Sequence, residues 1–87
     1  MIDDEIVAAL EEAGLRSGEH YVIQAGDLNA DVPGNEFRVI EPQGSNHAEK
    51  LENQHKVRDA LKAKGGVISQ EIEDEGRESL MLRATAS

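Results

Sequence analysis

Five carboxylates crowd the eight residues Glu71-Ile72-Glu73-Asp74-Glu75-Gly76-Arg77-Glu78. Carboxylates set along an exposed hairpin can imitate a row of phosphates, because arginine grips carboxylate and phosphate with the same planar fork. Such a row suits a groove lined by lysine and arginine on another protein. The plainer reading is a solvated turn whose like charges discourage pairing with other strands. The expected partner-binding residues are Glu71, Glu73, Asp74, Glu75 and Glu78. A neighbouring hairpin between the first two strands would add Asp27, Asp31 and Glu36.

Other chemistry is poorly supported. His47 and His55 stand eight residues apart, which on a helix places them on similar sides but about 12 Å apart by rise. A zinc pair on one helix uses a spacing of about four residues, and His20 completes no ligand signature. The acidic run lacks the alternating oxygen ligands and central glycine of a calcium loop. No metal and no cofactor are expected. Ser69 and Ser79 have no histidine nearby in sequence to activate them. Gly65-Gly66 follows a helix rather than opening one, so it lacks the amino end that cradles phosphate. The chain is not expected to be an enzyme.

Composition narrows the classes further. Eighty-seven residues suit one small domain, here 1–87. Its single Tyr and single Phe leave a core that must be mostly aliphatic. A domain this small gains from burying one more face in a dimer or against a partner. Asp and Glu number 18 against 9 Lys and Arg, a formal charge of −9. That balance argues against direct nucleic-acid binding, which needs a basic footprint, and favours basic partners. There is no cysteine, which fits a reducing compartment. Asp3, Asp4 and Glu5 do not resemble a secretory leader, and no apolar run nears the ~18 residues of a membrane span. A cytoplasmic protein without membrane contact is expected.

The elements that must position the acid read as helix, hairpin, helix, hairpin. The longest run free of Gly and Pro is 45–64, capped by Ser45 or Asn46, with Glu49 at capping-box spacing from Asn46. Gly65-Gly66 stop it. It holds five of the nine cations, Lys50, Lys56, Arg58, Lys62 and Lys64. Val57, Leu61 and Ala60 point its second half at a core. The first half offers only Leu51, so its first two turns are expected to stand clear of the body, held by the Glu52–Lys56 pair. Ile2 to Ala13 predicts a first helix, capped by Asp3 and stapled by Ile2 and Val7. Ile6, Leu10 and Ala13 form its inward stripe. Gly14 terminates it with Leu15 folded back, leaving Glu11 and Glu12 free for a partner. Tyr21–Ala25 and Glu36–Glu41 read as strands, with Phe37 and Val39 on one face and Arg38 and Ile40 on the other. The ten residues 26–35 between them form either a flap or an extended hairpin with a Pro33-Gly34 turn. Val67–Glu73 and Ser79–Ala84 predict a second hairpin turning at Asp74–Arg77. There Ile68 and Ile72 share a face, as do Leu80, Leu82 and Ala84, and Thr85–Ser87 is a frayed tail. The residues 9–14 and 60–65 echo one another, a hint of αββ units at 2–41 and 45–84. The expected fold is α+β: a four-stranded antiparallel sheet with two helices packed on one face.

Two classes of function follow. The first is a non-catalytic acidic module that docks on the basic surface of a nucleic-acid-binding complex and inhibits it. In size, acidity and absence of motifs the chain resembles the small phage or mobile-element proteins that block restriction or CRISPR complexes. That likeness is one of profile. The second is a structural or assembly subunit, or a homodimer, joined through apolar surface.

Overall fold

The computed structural model describes residues 3–24 and 37–83. The segment 26–35, the candidates Asp27, Asp31 and Glu36, the Ile2 staple and the tail Thr85–Ser87 lie outside the described residues. Six elements follow in the expected order: α1 Asp3–Glu12, β1 Tyr21–Gln24, β2 Phe37–Pro42, α2 His47–Ala63, β3 Ile68–Ile72 and β4 Ser79–Arg83. The four strands make one antiparallel sheet in the order β1-β2-β4-β3, and both helices cover one face of it.

Both helices end alike. Gly14 takes φ 84° and Gly65 φ 85°, a left-handed step that only glycine makes without strain. After it the chain folds back, Leu15 N–H donating to the Leu10 carbonyl and Gly66 N–H to that of Leu61, each at 2.8 Å. The fold-back buries Leu15. Asn46 begins α2, its Oδ1 accepting from Glu49 N–H at 2.9 Å.

The core lies between the helices and the inner sheet face. Ile6, Leu10, Leu15, Tyr21, Ile40, Val57, Leu61, Leu80 and Leu82 are all buried. The α1 stripe is Ile6, Ala9 and Leu10, not one reaching Ala13, which is exposed because the helix ends at Glu12. Glu12 is not free either: its carboxylate meets Lys64 Nζ at 2.8 Å, tying the two helix ends together. Asp3, expected as a cap, lies within α1 and accepts from Arg38 Nε at 2.8 Å.

Register decides which side chains face inward. Ile40 pairs with Leu80 and Arg38 with Leu82 on the helix side, while Val39 pairs with Met81 and Phe37 with Arg83 on the other. In the β3–β4 pair, Ile68 opposes Leu82 but Glu71 opposes Leu80 and Ile72 opposes Ser79. The register shifts between Ile68 and Gln70, a β-bulge that adds one residue to β3. Ile68 and Ile72 therefore do not share a face. One extra residue reverses the alternation, leaving Ile72 on the outer face and turning Glu71 toward α2.

The first half of α2 does not stand clear. Asn53 and Gln54 are buried, Gln54 completely. Asn53 Nδ2 donates to the Gln43 carbonyl at 2.6 Å, and Gln54 Nε2 to the Ile72 carbonyl at 2.9 Å. Side-chain amides do there what Val57 and Leu61 do further along. The expected Glu52–Lys56 pair is present at 3.2 Å, but its exposed groups add little.

Two variants test this packing. Gly14→Ala meets no atom near the new Cβ, so its loss is conformational, about 1–2 kcal/mol in urea unfolding. Tyr21 is fully buried and its hydroxyl has no partner among the described residues; Ser17 stands near enough to perturb it, but the two hydroxyls do not reach hydrogen-bond geometry. Tyr21→Phe is therefore expected to hold or raise the melting temperature, since an orphaned buried hydroxyl is unfavourable by about 1–3 kcal/mol. A clear fall would show that the hydroxyl is satisfied.

Candidate functional site

Helix α2 supplies the side chains that meet the acidic run. His47, Leu51, His55 and Arg58 recur every three or four residues, so they lie along one flank. That flank faces β3 and the residues on either side of the β3–β4 turn.

Three of the five acidic candidates are held by it. Glu78, just before β4, points inward, and its side chain is only 3% exposed. His47 Nδ1 lies 2.8 Å from its Oε2. Since an ionised carboxylate only accepts, His47 carries its proton on Nδ1. This hydrogen bond, then the backbone N–H of Glu78 itself, holds the carboxyl below its ordinary value despite burial, and the charge of Lys50 adds to the effect. Glu73 Oε1 lies 2.5 Å from His55 Nε2. Glu71 Oε1 accepts from an Arg58 terminal nitrogen at 3.1 Å, while Arg58 Nε donates to Asp59 at 3.0 Å. Asp59 first, and Glu71 after it, raise the Arg58 pKa further.

Asp74 and Glu75 differ from these three. They sit exposed at the tip, and among the described residues no ion pair engages them. The turn that presents them closes with Arg77 N–H on the Asp74 carbonyl at 2.9 Å, Gly76 taking φ 80° as expected. The structure thus separates a tip of two unpaired carboxylates from a flank of three latched ones. Asp27, Asp31 and Glu36 are not placed, being outside the described residues.

Sequence reasoning missed the latching residues. His47 and His55, whose spacing denies them a shared ion, each meet a glutamate far along the chain. The available signal was the match between a helical stripe at 47, 55 and 58 and carboxylates at 71, 73 and 78. The bulge at Ser69, which turns Glu71 inward, has no signature in sequence.

Two other features border this region. A cleft of about 340 Å³ opens beside Glu78, with Lys50, Arg77, Glu41 and Gln43 among its walls. The three donor groups of His55, Glu71 and Glu73 have ligand atoms within 4.8 Å of one another, close enough to share an ion. Among the described residues no helix is long and apolar enough to cross a membrane.

No protein-family model, curated protein or solved structure matches the chain.

The latch between His47 and Glu78 has a pH signature. The folded pKa of Glu78 lies below its ordinary 4.5. Its contribution is therefore complete above about that pH and is lost as the pH falls through the lowered folded value. Melting temperatures measured across this acid range should fall in the native chain and fall less in Glu78→Gln. Identical acid limbs would mean that the pair contributes nothing.

Proposed function

We propose that the chain is a non-catalytic interaction module that docks an acidic hairpin tip on a basic surface of another protein. A surface that otherwise holds nucleic acid is the kind it suits. The observation that supports this reading is the pair Asp74 and Glu75, exposed on a closed turn and without an ion pair among the described residues. Around them the chain carries a formal charge of −9, which steers it toward positive surfaces and away from phosphates. The latched Glu71, Glu73 and Glu78 then serve mainly to anchor the hairpin beneath the tip.

A second reading, self-assembly, is favoured by the sheet face that neither described helix covers. There Phe37, Val39 and Met81 occupy the two central strands, flanked by Gln24 and Gln70. An apolar centre with polar neighbours is the anatomy of many interfaces.

Titration against a purified nuclease complex that binds nucleic acid, at rising salt, tests the first reading. Affinity should fall with ionic strength. Asp74→Lys with Glu75→Lys should weaken it by about tenfold or more, ~1.4 kcal/mol. Affinity indifferent both to salt and to that reversal removes the acidic-tip reading. Light scattering tests the second: a dimer mass that Met81→Asp reduces to a monomer, with the charge-reversed tip unaffected, would place the interface on the open face.

A further inference from the structure

The bulge in β3 has an unusual outcome. It moves Ile72, an apolar residue, to the outer face and brings Glu71 and Glu73 round beneath α2. Alternation along the strand then sets both carboxylates on one side, where His55 and Arg58 descend from the helix. Bulges commonly re-aim side chains at functional sites. Here the side chains re-aimed are two glutamates, and what they meet is an imidazole.

We propose that His55, Glu71 and Glu73 form a binding site for a divalent transition cation, zinc being the best fit. Their donor atoms, one nitrogen and two carboxylate oxygens, lie within 4.8 Å of one another. Zinc at its usual bond lengths near 2.0–2.2 Å separates tetrahedral ligand atoms by roughly 3.4 Å, so small side-chain rotations suffice. His55 Nε2 and Glu73 Oε1 now share a hydrogen bond at 2.5 Å, and the ion takes the place of its proton. The donors come from two elements fixed against each other by the Gln54–Ile72 hydrogen bond, so the ligands are held before the ion arrives.

Charge points the same way. Two adjacent carboxylates repel, and among the described residues the only permanent cation bonded to either is Arg58, which is shared with Asp59. A dication balances the pair. Arg58 holds only one oxygen of Glu71, leaving the other for metal while orienting the group, as outer-shell partners do. The mixed imidazole and carboxylate set suits zinc and its neighbours better than magnesium or calcium, which take all-oxygen shells. Three protein ligands leave at least one position to water.

The test is titration of the metal-free, full-length chain with zinc chloride, followed by calorimetry and by imidazole NMR. Saturable uptake of one zinc is expected, shifting the His55 ring while His20 and His47 stay in place. His55→Ala and Glu73→Gln should each weaken binding by more than the roughly 10–100-fold typical of losing an outer-shell partner, and Arg58→Gln by about that amount. Glu52→Gln, an exposed acid on the same helix, should bind as the native chain does. Circular dichroism checks that each variant is folded, and where one is not, the native chain's histidine shifts decide. Zinc that perturbs His20 or His47 instead, binding that survives in folded His55→Ala and Glu73→Gln, or no saturation up to millimolar zinc overturns the proposal.

Discussion

Two side-chain amides on α2, those of Asn53 and Gln54, let a mostly polar helix lie on this sheet. The helix has only Val57 and Leu61 as fully buried apolar anchors, both in its second half. Burial alone would leave the first half free to swing. Asn53 and Gln54 instead donate to backbone carbonyls of Gln43 and Ile72, one in the connection after β2 and one at the end of β3. Such bonds add modestly to net stability, but they are directional, and leaving one buried partner unmade is unfavourable by more than the bond contributes. The apolar half therefore holds the helix down and the amide half sets its angle. The histidines and Arg58 reach their glutamates because of that angle.

The acidic run is consequently two structures under one composition. Glu71, Glu73 and Glu78 face a helix that carries five of the nine cations, and each is engaged by one of its side chains, Arg58, His55 or His47. Asp74 and Glu75 stand exposed, without an ion pair among the described residues, on the turn that Gly76 closes. A partner would sense a short, pointed source of negative potential rather than a broad acidic sheet.

Much of the architecture was legible. The Asn46 cap, the glycine stops after both helices, the alternation in β2 and the turn at Gly76 rest on local geometry, and local geometry is written in adjacent residues. What could not be read was long-range. The buried Gln54 looked like a solvent-facing residue because its partner, the Ile72 carbonyl, is a backbone group 18 positions away. The faces of Ile68 and Ile72 were misassigned because strict alternation does not anticipate an inserted residue. The acidic tip was visible as composition. Its division into paired and unpaired carboxylates depends on which helix flank lies over β3, and that follows from tertiary packing.

The interruption at Ser69 also bears on how this molecule keeps to itself in a crowded cell. β3 is the last strand of its sheet, the position from which fibril growth by templating starts most readily. An incoming strand would need an uninterrupted ladder of donors and acceptors. It would meet instead a break in register and, at Ile72, a carbonyl already claimed by Gln54. The irregularity thus withdraws one free margin of the sheet from cross-β polymerisation without shortening the strand.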